Sequence, residues 1–112
     1  MSVTNMFGAH GLELLSTILT DAGPSYAANV SKFAAQAKSL RAAIDKNMCD
    51  PTSSSYCDGI CSDVKDASLV MTNMFGLCFG FPQTHGSTAI DHAWNTVADW
   101  GIENIGDYGA FW

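Results

Sequence analysis

The stretch "SLVMTNMFGLCFGF", residues 68–81, decides how this chain is read. It is almost wholly apolar, and Pro82 stops it. From Ala67 to Phe81 is fifteen residues, roughly 22 Å of helix, short of the roughly 30 Å hydrocarbon core of a bilayer. Asp63, Lys65 and Asp66 bound it on one side. The stretch is therefore expected to be a buried helix and not a membrane span. Val64, Ala67, Met71, Met74, Cys78 and Phe81 recur in steps of three and four, a single helical stripe. Beyond Asn73, Met74, Phe75, Leu77, Cys78 and Phe79 cover every direction. A helix apolar all round is either central or covered by something else.

Three more helices are read outward from it. The pattern Val30, Phe33, Ala37, Leu40, Ile44 predicts a helix over about Ser25–Lys46, with Lys32, Lys38, Arg41 and Asp45 on the opposite side. An earlier helix, about Met6–Thr20, carries Phe7, Leu14, Leu15, Ile18 and Leu19 on one side, and "DAGPS" ends it. After "PQTHGS", Thr88 and Asp91 have capping-box spacing, and Ile90, Trp94, Val97 and Gly101 are expected to face the core. Residues 47–60 are turn-formers, and no strand is legible. The expected fold is all-α: a small four-helix bundle over residues 1–112, a single domain, with a disulfide-bearing loop between helices 2 and 3. The word "TNMFG" occurs at residues 4–8 and 72–76. The residues after the two copies do not align with each other, which argues against a repeat architecture.

Charged residues make up only 14% of the chain, against roughly a quarter in ordinary soluble domains. The hydrophobic fraction of 47% exceeds what one small core needs and points to a buried partner surface or a ligand cavity. The net charge is −6, and nothing basic follows Lys65. Such a surface repels phosphate backbones, so nucleic acid is not expected as a partner.

Four cysteines, Cys49, Cys57, Cys61 and Cys78, suit two disulfides in an oxidising compartment, and the protein is expected to be secreted although no leader is legible in "MSVTNMFGAHG". On a continuous third helix Cys61 and Cys78 stand about 25 Å apart, beyond the reach of a disulfide. Cys49–Cys61 with Cys57–Cys78, or Cys49–Cys78 with Cys57–Cys61, avoids that break; otherwise Cys78 is a free core thiol.

Metal and catalytic patterns are thin. Cys49, Cys57 and Cys61 with a histidine could hold zinc, but paired knuckles and a close histidine pair are missing. Asp50, Thr52, Ser54 and Asp58 are oxygen donors without the glycine and glutamate of a calcium loop. His10, one turn from Glu13, His85 and His92 have no serine in a nucleophile-elbow context. No catalytic residue, metal or cofactor is expected. "NVS" at Asn29–Ser31 is a glycosylation sequon.

In class the chain resembles small secreted helical proteins stapled by disulfides, elicitors and helical lipid carriers among them. The expected function is binding, of a protein partner or of an apolar small molecule, at a site lined by Phe7, Met71, Met74, Phe75, Phe79 and Trp94. Flexible methionines beside aromatic rings suit an adaptable apolar pocket. The alternatives are a self-associating structural subunit with Gly76 and Gly80 at a helical interface, and a membrane-disrupting protein that contacts a bilayer without spanning it. A small hydrolase ranks last.

Overall fold

The computed structural model describes residues 2–50, 55–57 and 70–105, the side chains of 70, 71 and 100–105 excepted. Helices α1 (Ser2–Ala22) and α2 (Ala27–Met48) are joined by a 3-10 turn, Pro24–Tyr26; α3 (Val70–Cys78) and α4 (Ser87–Ile105) are joined by another, Pro82–His85. Among the described residues there is no strand, only an isolated antiparallel bridge between Cys49 and Tyr56, and the all-α expectation holds. Gly23, at φ 119°, reverses the chain after α1 as the sequence predicts. The cap of α4 falls two residues earlier than expected. The Gly86 carbonyl accepts the Ile90 N–H at 3.3 Å, so Thr88 lies within the first turn and does not cap it.

Helices α1 and α2 run antiparallel. The Ser16 hydroxyl donates to the Val30 carbonyl at 3.3 Å, while a Cβ on Gly8 would stand 3.6 Å from Leu40. On α2 the expected stripe turns inward, with Ala37 and Ile44 buried and Val30, Phe33 and Leu40 partly so. On α1 the buried positions are Ser2, Met6 and Ala9, one residue off the expected face of Phe7, Leu14, Leu15 and Ile18. On α4 they are Ala89 and Ala93, again beside the expected Ile90 and Trp94. On α4 the small residues let the helix axes approach closely and leave the large apolar side chains beside them outside, whereas on α1 it is Met6 that is drawn into the core beside Tyr56.

Helix α1 also meets α3, and α3 packs on α4, but among the described residues α4 touches neither α1 nor α2. The arrangement is two helical hairpins side by side. Its Cα radius of gyration is 16.1 Å, against roughly 13 Å for a compact chain of this length.

What joins the hairpins is the short segment 55–57, in the stretch the sequence marks as turn-formers. It pairs with the end of α2 through Asp50 N–H to Ser55 O and Cys57 N–H to Met48 O, both 2.8 Å. On its other side the Asn73 side chain of α3 takes the Tyr56 N–H on Oδ1 at 3.1 Å and donates Nδ2 to the Tyr56 carbonyl at 3.4 Å. The Ser2 hydroxyl donates to the Cys57 carbonyl. The Tyr56 ring is fully buried beside Met6, Ile44 and Phe81, and its hydroxyl donates to Asp45 Oδ1 at 2.5 Å. Asp45 and Arg41, expected on the solvent side of α2, are instead drawn inward.

The two glycines of the expected interface have local roles. Gly80, at φ 74°, closes α3: its N–H reaches the Leu77 carbonyl at 3.3 Å and the Phe81 N–H reaches Gly76 at 2.9 Å, the paired bonds of a Schellman turn. Gly76 faces Met6, Tyr56 and Pro82 of its own chain, each 3.8–3.9 Å from a built Cβ. Cys49 and Cys78 are free thiols, so neither two-disulfide pairing forms; Cys78 is exposed at the end of α3 and is not a core thiol. Cys61 lies outside the described residues.

Removing the Asn73 clamp tests the role of segment 55–57. Asn73→Ala orphans a buried N–H and C=O and should cost about 2–4 kcal/mol, read as a lower urea midpoint. Gly80→Ala should cost about 1–2 kcal/mol because a left-handed residue gains a Cβ. Gly76→Ala, in an ordinary helical position with room for a methyl, should stabilise by about 0.5–1 kcal/mol. Equal losses at the two glycines would mean that their roles here are misassigned.

Candidate functional site

Helix α1 places its large apolar residues on an open face. Phe7 is 49% exposed, Leu14 51%, Leu15 37% and Ile18 62%. Phe7, Gly11, Leu14 and Ile18 follow steps of four, three and four, the spacing with which one helix meshes with another. A Cβ on Gly11 would have nothing within 4 Å, so the face has a depression at its middle. At one end Phe7 runs into an aromatic cluster, 4.9 Å from the Phe75 ring and 4.8 Å from Phe79. His10 stacks on Phe79 at 4.7 Å.

The other side of α3 faces α4. Met74, Leu77, Cys78, Ile90, Trp94 and Val97 line a half-open groove of about 290 Å³, at the lower edge of the roughly 300–1,000 Å³ of small-molecule sites. Trp94 is 60% exposed there. The single expected ligand site is therefore divided. Phe7, Phe75 and Phe79 gather between α1 and α3, Met74 and Trp94 lie in the α3–α4 groove, and the Met71 side chain falls outside the described residues.

The charged groups are engaged in holding the fold. Arg41 on α2 makes a two-pronged pair with Glu13 on α1, one arm at 3.0 Å, and donates to the Phe79 carbonyl at the end of α3 at 2.6 Å. Its guanidinium carbon lies 4.3 Å from the Phe81 ring centre. The hydrogen bond from Arg41 holds the Glu13 carboxyl below its ordinary range, and Glu13 in turn raises the Arg41 pKa. His10 Nδ1 stands 3.5 Å from Glu13, the pair foreseen from their spacing.

A second polar cluster surrounds Asp45, which accepts the Tyr56 hydroxyl and lies 3.4 Å from His85 Nε2. Cys49 is close by. Burial, reinforced by Asp45 and Asp50, pushes its thiol up to about 11, so at neutral pH it is protonated and a poor nucleophile. Burial and then the hydrogen bond to Asp45 push the Tyr56 phenol up as well. Among the described residues no three histidine, cysteine or carboxylate groups converge as metal ligands. None of the helices searched among those residues is long and apolar enough to cross a membrane.

No family model, no curated protein and no solved structure matches this chain.

These shifts give stability a defined pH profile. Glu13 is lowered from 4.5, so its contribution is present above that pH and is lost as pH falls through the folded value. Cys49 is raised from 9.0 to about 11, so its contribution is complete below 9.0 and is lost as pH rises toward the folded value. Tyr56 acts in the same direction above its ordinary 10.0. Urea midpoints across pH should fall at both ends, with Glu13→Gln flattening the acid limb and Cys49→Ala part of the alkaline limb. Alkylation at pH 8 should label Cys78 well before Cys49, and the reverse order by peptide mapping would contradict the burial of Cys49.

Proposed function

We propose that this protein is a secreted, non-catalytic helical binding protein whose contact surface is the open apolar face of α1. The observation that carries the reading is the exposure of Phe7, Leu14, Leu15 and Ile18 on one face of one helix. Single exposed apolar residues are common, but a contiguous row marks a surface that something covers. The helix-meshing spacing, with Gly11 as a hole, favours an amphipathic helix of a protein partner as the cover. No lysine or arginine lies on α1, which disfavours attraction to anionic lipid as the route to this face.

Secretion rests on the cysteines. Cys49 and Cys78 are free thiols, which leaves Cys57 and Cys61 as the one pair that could close within the chain. That supports one loop disulfide, fewer than the two expected from the even count. A second reading, an apolar small molecule in the α3–α4 groove, is favoured by the exposed Trp94 beside Met74.

Native mass spectrometry of protein from an oxidising host separates these readings. A protein complex that is lost in a Leu14→Asp, Ile18→Asp variant supports the α1 face. A few hundred daltons of extra mass that survives that variant and is lost in Met74→Asp moves the function to the groove. A bare monomer that binds no apolar dye would sink both. The denatured mass should show two hydrogens lost to one disulfide.

A further inference from the structure

We propose that Asn29 is an N-glycan acceptor, with the exposed Tyr26 ring one turn before it as the platform for the first sugar; this rests on the secreted reading above. Asn29-Val30-Ser31 is a sequon by residue type, and many such triplets are buried in the folded chain. Here the side chains separate. Val30 turns inward, and its carbonyl holds the Ser16 hydroxyl at 3.3 Å, whereas Asn29 and Ser31 are exposed in the first turns of α2. The Ser31 hydroxyl bonds back to the Ala27 carbonyl at 3.1 Å. No described residue hydrogen-bonds the Asn29 side chain, which therefore opens on solvent.

Helical geometry sets Asn29 and Ser31 roughly 160° apart around α2, too far for one enzyme site to use both. Transfer must therefore precede folding, and the folded protein has only to leave room for the sugar. It does so at the end of the α1–α2 hairpin, where Ser25, Tyr26, Ala28 and Lys32 are exposed as well. Tyr26 is 42% exposed and lies three residues before Asn29, the spacing of neighbours on a helix surface. Its ring face is electron-rich and suits the C–H groups of a pyranose.

The chemistry balances without an oxidant or reductant. The Asn29 amide nitrogen bonds to C1 of an oligosaccharide carried on a polyprenyl pyrophosphate. The C1–O bond breaks, its electron pair leaves with the pyrophosphate, and the amide proton passes to solvent.

The test is to express the full chain behind a cleavable signal peptide in a eukaryotic secretory host. All chain that entered the lumen, retained or released, is weighed before and after peptide-N-glycosidase treatment. The wild type should carry an oligosaccharide mass that the enzyme removes, leaving aspartate at position 29. Asn29→Gln and Ser31→Ala should lose that mass and Ser31→Thr should keep it, while Tyr26→Ala should keep the sugar and lose the rise in urea midpoint that the glycan gives the wild type. An unmodified wild-type chain, or sugar that persists in Asn29→Gln, overturns the proposal. The hydrogens lost to disulfide in the same samples read the secretion assignment separately, so the two can fail independently.

Discussion

The fold depends on the seating of Tyr56. Helices α2 and α3 do not pack on each other among the described residues, so something between them must supply the contact. Segment 55–57 does this as a fragment of sheet in a helical protein, with the end of α2 on one edge and an asparagine side chain on the other. A primary amide presents one donor and one acceptor on one side, as an extended backbone does, so Asn73 completes the ladder that a neighbouring strand would otherwise complete. Without that amide the buried backbone of Tyr56 would lose two hydrogen bonds at once, at a place water does not reach. The phenol then reaches Asp45, and the ring fills the space among Met6, Ile44 and Phe81.

This seating decides which residues remain outside. Met6 is turned toward Tyr56 and Gly76, which fixes the rotation of α1 about its axis. One residue further along, Phe7 and the row behind it then face away from α2. The same logic holds on α4, where Ala89 and Ala93 take the contact and Trp94 is displaced into the open. The apolar excess seen in the composition therefore appears as surface. The core takes Met6, Ile44, Tyr56 and Phe81, while Phe7, Leu14, Ile18 and Trp94 stay exposed.

The helices were legible because their start and stop residues and their periodicity are local signals. The stripe on α2 was legible for the same reason, and it is the one stripe that is buried as read. Rotational setting is not local. Steps of three and four name a face, and on α1 and α4 the adjacent face holding alanines is the one that packs. Tyr56 was illegible, since a lone tyrosine between turn-formers carries no period, and its partner Asn73 reads as a polar interruption in an apolar helix. The repeated word "TNMFG" has a physical consequence that sequence comparison could not supply: the two copies meet, Phe7 against Phe75 and Met6 against Gly76. Residue type alone marks the candidate binding residues, and they divide because α3 presents them on opposite sides.

What the described polar groups are occupied with bears on what the protein does. Catalysis needs a nucleophile, base or acid with capacity left over after folding. Glu13 and Arg41 satisfy each other and tie α1 to α2, and the Arg41 Nη2 that reaches Glu13 also donates to the Phe79 carbonyl just after α3. Asp45 is committed to the Tyr56 phenol. The Cys49 thiol is held protonated by the burial that the same packing creates. Each of these groups would have to abandon a structural contact in order to do chemistry, whereas the rows of exposed carbon on α1 and in the α3–α4 groove abandon nothing when they are covered. Association at those rows, as proposed above, would leave these contacts in place.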